Sequence, residues 1–485
     1  MTRLPDDPDL ADLADLELSP AQMRAMGQRT VERLIQHVAA LPDQPASVDM
    51  TGIEQACRAL REPPPEEGSP FDPLLDQVLE QLVPRSFTAS GPGYLAYIPG
   101  GGLFPAAIAD LIQGVTNRYT GVWQAAPLLV QLEANVLEWF RQWMGFPATT
   151  RGLLTTGGSM ATFNAVVCAR ERLLGSEIRR GVLYASSQAH HSVTKAARLA
   201  GIADDRVRIV GVDAALRMDP ADLTRAVAQD RDAGLTPFMV VSTAGTTNTG
   251  AVDPLETIAD VCRDHALWHH VDGAYGAFFH LSPWLRPTLV GLSRADSLTL
   301  DPHKGLFLPY GTGALLVRDG AALRAVHRVS AGYLPDAPDD EFYDPSQYSP
   351  DLSRGFPGLR VWLCIKLFGV RKLRAAIEEK HRLACEAAAQ LERLPGIRLL
   401  APPALSLFAL HLTWVGASLA QENEATGELL ARVNALREVL LTGCTLDDGR
   451  FLARVCILSF RTRRERVQTC VEHIARSAAA CLARV

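Results

Sequence analysis

Five short stretches hold residue types that could do chemistry. Asp301-Pro302-His303-Lys304-Gly305 follows the apolar run Ser297-Leu298-Thr299-Leu300 and sets a lysine beside a histidine. A lysine that can be held deprotonated forms a Schiff base with an aldehyde. Trp268-His269-His270-Val271-Asp272-Gly273-Ala274-Tyr275-Gly276 closes another apolar run with a carboxylate. Such a group is costly to bury unless it is paired, and aimed at a pyridine nitrogen it would keep that nitrogen protonated. Thr155-Thr156-Gly157-Gly158-Ser159-Met160-Ala161-Thr162 runs into a helical stretch. Its glycines let backbone N–H groups approach an anion, Ser159 adds a hydroxyl, and a helix N-terminus favours negative charge. No Gly-Lys-Ser/Thr follows, so this is not a nucleotide P-loop. Gln188-Ala189-His190-His191-Ser192-Val193 offers a histidine that could stack on a flat ring or move a proton. Ser242-Thr243-Ala244-Gly245-Thr246-Thr247-Asn248-Thr249-Gly250 is a hydroxyl-rich loop suited to a polar ligand.

Taken singly, each stretch has a plainer reading: a strand-to-helix turn, a satisfied histidine, a turn capped by its own side chains. Together they supply an amine for an aldehyde, a carboxylate for a ring nitrogen and a turn for a phosphate. That is the set pyridoxal phosphate needs.

The elements that must position these residues follow from the rhythm of apolar runs. From Leu153 onward short runs alternate with helical stretches: Leu153-Leu154, Val182–Tyr184, Val207–Val210, Phe238–Val241, His270-Val271, Ser297–Leu300 and Ala314–Val317. Strands interleaved with helices argue for an α/β layer on a mostly parallel sheet, and in such sheets ligands bind outside the carboxyl ends of the strands. The interval between Asp272 and Lys304 leaves room for one helical excursion and a return strand. Ahead of this body, Ser19 and Pro20 read as the N-cap and first residue of a helix. A second amphipathic helix runs through Leu74, Leu75, Val78, Leu79 and Leu82. Two or three such helices cannot enclose a core alone. After Leu373 come helices over 373–394, 424–441 and 464–484, with strand-like runs Leu405–Leu412 and Phe451–Phe460, which read as a smaller α+β cap.

Composition narrows the field further. The chain has 485 residues, a length that suggests about three domains. With 47% apolar and 21% charged residues it is ordinary globular protein. The net charge of −6 lacks the basic excess of a protein that lives on nucleic acid. The nine cysteines include no C-x-x-C pair and give no support to a metal site. The uncharged stretch from Ser86 to Ala109 carries Gly91, Gly93, Gly100, Gly101 and Gly102 with Pro92, Pro99 and Pro105, content hostile to a membrane helix. The acidic N-terminus has no apolar signal-peptide core. A soluble cytoplasmic protein is expected, with no membrane and no nucleic-acid partner.

In this order the motifs resemble those of the group II pyridoxal-phosphate-dependent amino acid decarboxylases, the aromatic-L-amino-acid, diaminobutyrate and glutamate type. The resemblance covers nearly the whole chain and is carried most strongly by His270-Val271-Asp272-Gly273-Ala274-Tyr275 and Asp301-Pro302-His303-Lys304. It implies an α/β chain of fold type I, like the aspartate aminotransferases: a mostly parallel seven-stranded sheet, a helical N-terminal segment and a small α+β C-terminal domain. The implied boundaries are 1–103 for a segment that clasps a second subunit, 104–372 for the large cofactor domain and 373–485 for the small one. It implies pyridoxal 5'-phosphate as cofactor and a homodimer with active sites at the interface. Lys304 corresponds to the Schiff-base lysine and Asp272 to the pyridinium partner. Ala274 falls against one ring face, His190 against the other, and Thr246 at a cofactor contact. Gly158, Ser159, Ser297 and His303 fall where the phosphate is gripped. Tyr97, Ile98 and Pro99 match positions that touch the substrate side chain. Tyr119, Gly121 and Trp123 match positions contributed across the dimer. Gly121 stands where the aromatic branch has a bulky apolar residue, and Asp301 where many members have Asn. Residues 332–354 correspond to a lid whose tyrosine protonates Cα, and both Tyr343 and Tyr348 are offered for that role. Arg118 is a candidate for an acidic side chain, Arg354 and Arg360 for a carboxylate. The implied reaction is decarboxylation of an L-amino acid to its amine. Oxygen-dependent decarboxylative deamination, giving an aldehyde, ammonia and peroxide, is the alternative.

Overall fold

The computed structural model describes residues 15–328 and 341–484, in two compact units that divide after Thr88. In the first unit, α1 (Pro20–Ala40) starts where Ser19 and Gln22 form a reciprocal capping box, with Pro20 in the first turn. α2 spans Ile53–Ala59 and α3 Phe71–Asp76; the chain winds on from α3 through Gln77–Leu82 and Val83–Arg85. Arg33 bonds Asp76 at 2.6 Å and Glu80 at 2.7 Å, tying α1 to the α3 winding. None of these helices buries a residue, in keeping with elements that enclose no core of their own.

The second unit begins at Ala89, so residues 89–103 pack with the body and not with the helical segment ending at 103 that the sequence suggested. Leu95 N–H bonds the Leu440 carbonyl at 3.0 Å and Gly101 N–H the Leu308 carbonyl at 3.2 Å; Leu95, Ile98 and Leu103 are buried. Next come α4 (Phe104–Thr116), α5 (Pro127–Trp143), β1 (Arg151–Thr155), α6 (Gly158–Leu173), β2 (Gly181–Ser186), α7 (Ser192–Leu199), β3 (Val207–Val210), α8 (Pro220–Asp232), β4 (Thr236–Thr243), α9 (Leu255–Asp264), β5 (Trp268–Asp272), β6 (Ser297–Leu300), α10 (Pro302–Gly305), β7 (Gly313–Val317) and α11 (Gly320–His327). The seven strands form one sheet in the order β1-β7-β6-β5-β4-β2-β3. β7 alone runs antiparallel to its neighbours β1 and β6. Side chains alternate across the sheet with the period of two that a strand imposes. On β2, Leu183 and Ala185 pack with Ala165 and Ala196 of α6 and α7, while Val182 and Tyr184 pack with Leu223 and Ile258 of α8 and α9. Burying both faces of a parallel sheet in this way is what fold type I requires.

Two expectations change here. The excursion between β5 and β6 is three short 3-10 turns (Ala277–Leu281, Arg286–Leu289, Leu292–Arg294) and not a helix, because Pro283, Pro287 and Gly291 interrupt it. The cap carries a four-stranded antiparallel sheet, β10-β11-β9-β8, where two strands were legible. β8 (Ile397–Leu399) and β10 (Thr442–Thr445) flank β9 (Leu407–Leu412) and β11 (Phe451–Cys456). Its helices are α12 (Pro357–Glu392), α13 (Leu419–Ala435) and α14 (Arg464–Leu482). α12 starts well before Leu373 and breaks at Gly369, whose φ of 71° leaves the helical region. No helix among the described residues is long and apolar enough to cross a membrane.

Candidate active site

Five of the seven strands deliver a chemical motif, each at its carboxyl end. β6 stops at Leu300 and the chain turns at once into α10, a single helical turn that carries Lys304 into a cleft. The cleft holds about 720 Å³ of space, partly open to solvent. Gly157, Gly158 and Ser159 reach it after β1, His190 after β2, Thr243, Gly245 and Thr247 at the end of β4, and Asp272 and Ala274 at the end of β5.

Lys304 Nζ lies 2.9 Å from Asp301 Oδ2. The pair sits at i and i+3, so one turn of α10 suffices to face them. Burial pushes the lysine towards its neutral form. The Asp301 charge and hydrogen bond, helped by Asp272, outweigh that and hold the ammonium above the ordinary lysine range. The net effect of these groups favours the charged amine. Asp301 is 1% exposed, and its Oδ1 has no hydrogen-bond partner among the described residues. Asp272 is buried, with Oδ1 accepting from Ala274 N–H at 3.1 Å.

The two site histidines are fixed in opposite tautomers. Ser192 N–H points at His190 Nδ1 at 3.2 Å, so neutral His190 carries its proton on Nε2. Burial lowers its pKa, opposed in part by Asp272. His303 Nδ1 donates to the Thr312 carbonyl at 2.7 Å, which leaves Nε2 unprotonated, 3.5 Å from Asp301 Oδ2. Burial again favours the neutral ring.

The β1–α6 turn has the form of an anion cradle. Gly157 has φ 152°, a value L side chains rarely adopt, and no side chain caps α6. A Cβ on Gly158 would lie 3.0 Å from the Ala274 methyl and 3.2 Å from Asp301 Oδ2, so any larger residue would fill the space beside Ala274. An uncapped helix N-terminus, an amine held by a carboxylate, and polar atoms on Asp301 and Thr243 without partners among the described residues fit pyridoxal phosphate. Its phosphate, aldehyde and ring match those groups in kind. Among the described residues no cluster of three or more His, Cys, Asp or Glu could hold a metal ion.

Several expected site residues are not brought to this cleft. Ser297 stands at the amino end of β6, opposite Lys304, and its Oγ accepts from Trp268 Nε1 and meets His270 Nδ1, both at 2.8 Å. Thr246 is buried, and its hydroxyl bonds Thr249 Oγ1 at 2.7 Å and the Ala251 N–H at 3.1 Å within its own loop; Thr243, Gly245 and Thr247 line the cleft instead. Tyr97 is exposed, while Ile98 and Pro99 are buried. Tyr119 is exposed, and Trp123 stacks on Phe342 with ring centres 4.9 Å apart. Gly121 lies flush against the chain: a Cβ there would come within 1.9 Å of the Leu352 carbonyl oxygen. That approach accounts for the missing bulky residue.

The lid tyrosines need the largest correction. Tyr343 and Tyr348 stack on each other, ring centres 5.5 Å apart, and pack against the core beside α6 and α7. The Tyr343 hydroxyl is buried without a partner among the described residues, and neither ring is among the residues that line the cleft. Proline and aspartate made the segment look exposed, but the aromatic rings pull its second half inward. Its first half, residues 332–340, lies outside the described residues and holds a further tyrosine, Tyr333. The arginines offered for a carboxylate are also engaged. Arg354 forms a buried ion pair with Glu133, and Arg360 bonds Asp110 at 2.8 Å and Thr312 Oγ1 at 2.7 Å.

Two site residues had little signal in the sequence. Asp301 is the direct partner of Lys304, and its spacing on the same turn was the available clue. Arg454, on β11, donates to the carbonyls of Thr247, Asn248 and Tyr97 and to Thr442 Oγ1. It ties the cap to a loop that lines the cleft across more than two hundred residues of chain, which no local pattern reveals.

Comparison with known proteins agrees with this geometry. The family signature described as "Pyridoxal-dependent decarboxylase conserved domain" matches residues 54–412. An aromatic-L-amino-acid decarboxylase from Bacillus atrophaeus is 32% identical over 456 residues, covering 93% of this chain and 94% of that protein. Tryptophan decarboxylase 1 of rice is 31% identical over 441 residues, 86% of either chain. The crystal structure of rice TDC with PLP and tryptamine superposes with a TM-score of 0.91 at 27% identity, covering 96% of this chain and 99% of that one. The chain belongs to the pyridoxal-dependent decarboxylase family, enzymes that work with pyridoxal 5'-phosphate.

Proposed function

We propose that this enzyme removes carbon dioxide from an L-amino acid with an aromatic side chain and releases the corresponding amine. The observation that carries the reading is the convergence of Lys304, Asp301 and Asp272 in one cleft with the uncapped N-terminus of α6. The aromatic class is supported by the aromatic-L-amino-acid and tryptophan decarboxylases that the chain resembles. Bound pyridoxal phosphate supplies an aldehyde for an amine and a ring that accepts the electron pair left when carbon dioxide departs. In this reading Lys304 is the amine that takes the aldehyde, and Asp301 Oδ2, already hydrogen-bonded to Nζ, is the atom placed to take its proton. Asp272 would hold a proton at the ring nitrogen. His190, with its Nε2–H, and Ala274 would bound the ring. Ser159, the first-turn N–H groups of α6 and His303 would hold the phosphate.

The working unit is proposed to be a homodimer. Val115 on α4 and Leu128 on α5 are 78% and 82% exposed, with Leu111, Ile112 and Leu367 exposed as well. Leu111, Ile112 and Val115 make one exposed apolar stripe on α4, a feature soluble chains rarely leave bare, and Tyr119, Gly121 and Trp123 follow α4 directly. The mass of the holoenzyme by light scattering checks this; a monomer would contradict it. Nine unpaired cysteines suit a reducing, cytoplasmic compartment.

A panel of L-amino acids, assayed for carbon dioxide and peroxide together, tests the reaction. Aromatic substrates should exceed acidic and basic ones by at least about tenfold in kcat/KM, with no stoichiometric peroxide. Peroxide matching each product aldehyde would replace this reading by oxygen-dependent decarboxylative deamination. A preference for glutamate or diaminobutyrate would replace the substrate class.

The proton donor to Cα is testable within the lid segment. Tyr343→Phe removes a buried hydroxyl that has no partner among the described residues, so stability should be unchanged or raised by up to about 1 kcal/mol. Turnover of Tyr343→Phe and Tyr348→Phe should stay within about twofold of the parent, because neither hydroxyl faces the cleft. Tyr333→Phe is the variant expected to lower amine formation. A large loss with Tyr343→Phe instead would make Tyr343 the donor.

A further inference from the structure

Gly100, Gly101 and Gly102 follow one another after Pro99. Glycine loses more backbone freedom on folding than any other residue, so three together need holding from outside. One side of this loop faces the turn that carries Lys304. Gly100 N–H donates to Tyr310 Oη at 3.2 Å. Gly101 N–H donates to the His303 carbonyl at 3.3 Å and the Leu308 carbonyl at 3.2 Å, and Leu103 N–H to the Phe307 carbonyl at 3.1 Å. A Cβ on Gly101 would come within 2.0 Å of the Phe307 carbonyl oxygen, so only glycine lets the two backbones approach this closely.

The backbone that the loop holds is strained. Phe307 has φ 62°, in the left-handed region that side chains other than glycine rarely enter. Such a residue persists only where its surroundings over-determine it. Phe307 N–H reaches back to the Lys304 carbonyl at 3.2 Å, and the Phe307 carbonyl takes Leu103 N–H. The exit from α10, just past Lys304, therefore keeps its shape against the glycine loop.

The other side of the loop is held by the cap. Arg461, between β11 and α14, donates from Nη1 to the Ser90 carbonyl at 3.1 Å and the Gly101 carbonyl at 2.9 Å, and from Nη2 to the Gly102 carbonyl at 3.3 Å. Its guanidinium lies 4.3 Å from the Phe460 ring centre, which fixes its plane. Burial lowers its pKa, and no carboxylate opposes that shift. The planar fork of donors suits several carbonyls at once in a way that the point charge of lysine does not.

We infer that Arg461 is a positioning residue for Lys304: by clamping the Gly101 and Gly102 carbonyls it fixes the glycine loop, and the loop fixes the turn from which the lysine projects. Each link is a hydrogen bond or backbone contact of the folded chain. The inference rests on the proposed role of Lys304.

The test uses Arg461→Met, which keeps an unbranched stem over Phe460 and removes the donors, and Arg461→Lys, which keeps the charge and loses the fork. Arg463→Ala is the control, because Arg463 is exposed on the same stretch and pairs with Glu379. The readouts are kcat, the visible circular dichroism of the bound cofactor, and amide hydrogen exchange of the apoprotein over residues 98–106 and 302–310. Arg461→Met should lower kcat about ten- to a hundredfold, the range for a small displacement of a reacting group. It should also reduce the dichroism and speed exchange in both segments while β5 stays protected. Arg461→Lys should fall between Arg461→Met and the parent, and Arg463→Ala should match the parent in all readouts. Parental kcat and dichroism in Arg461→Met overturn the inference, as they do in Arg461→Lys if the methionine variant does not fold. An equal loss in Arg463→Ala overturns it too, since that marks a general weakening of the cap. Faster exchange confined to 98–106 has the same force, because the loop would then move without the lysine turn. Failure of the Lys304 reading looks different: borohydride would leave Lys304 unmodified in the parent itself.

Discussion

Lys304→Ala is expected to lower turnover by at least about a thousandfold. Among the described residues Lys304 is the one side-chain amine lining the cleft, and none of the other lining residues can take over the transfer of the aldehyde. The same change should be visible in stability. Lys304 Nζ neutralises Asp301, which is 1% exposed, and deleting one member of a buried pair leaves a charge without a partner. Because Lys304 is partly open to the cleft, the cost should fall at the low end of that effect, about 2–3 kcal/mol in thermal unfolding of the apoprotein. Adding Asp301→Asn to Lys304→Ala should recover most of the stability and none of the turnover. Undiminished turnover in Lys304→Ala would remove the lysine from the chemistry. Unchanged stability would mean that the Asp301 pair is not formed in solution.

Asp272→Asn should have the second largest effect, lowering kcat by about 10²–10⁴. Asparagine keeps the shape and still accepts from Ala274 N–H through Oδ1, so the end of β5 need not move. What it removes is the negative charge that would hold a proton at the ring nitrogen, and with it the ring's capacity to accept an electron pair. Cofactor content should fall much less than kcat, since Lys304 and the α6 turn remain. The Asp272 charge also supports the protonated forms of Lys304 and His190, so both groups should ionise at lower pH in the variant. Steady-state kinetics beside cofactor absorbance separate the two effects. A kcat within twofold of the parent would exclude Asp272 from the ring nitrogen.

The parts of this site that could be read in the sequence are those where chemistry directly follows a strand. Asp272 and Lys304 come within a few residues of the apolar runs that became β5 and β6, and the open-sheet rule puts such positions at the ligand. The rule needs the right end of the strand, and Ser297 fails on that point: it belongs to the same motif region as Lys304 yet occupies the opposite end of β6. Thr246 fails for a different reason. In a loop of hydroxyl residues, periodicity cannot tell which side chain turns back to satisfy the loop itself. The short strands β8 and β10 left almost no pattern. β10 contains Gly443 and three polar or thiol residues, and it is held by pairing with β11. α12 was legible only in part because Gly369 breaks its periodicity. Asp301 and Arg454 act through partners that only the folded chain brings into line.

The most direct test of the central claim is borohydride reduction of the holoenzyme followed by peptide mass analysis. The cofactor is expected on Lys304 and on no other lysine. A holoenzyme with an unmodified Lys304 peptide, or with the cofactor fixed elsewhere, would contradict the reading of this cleft.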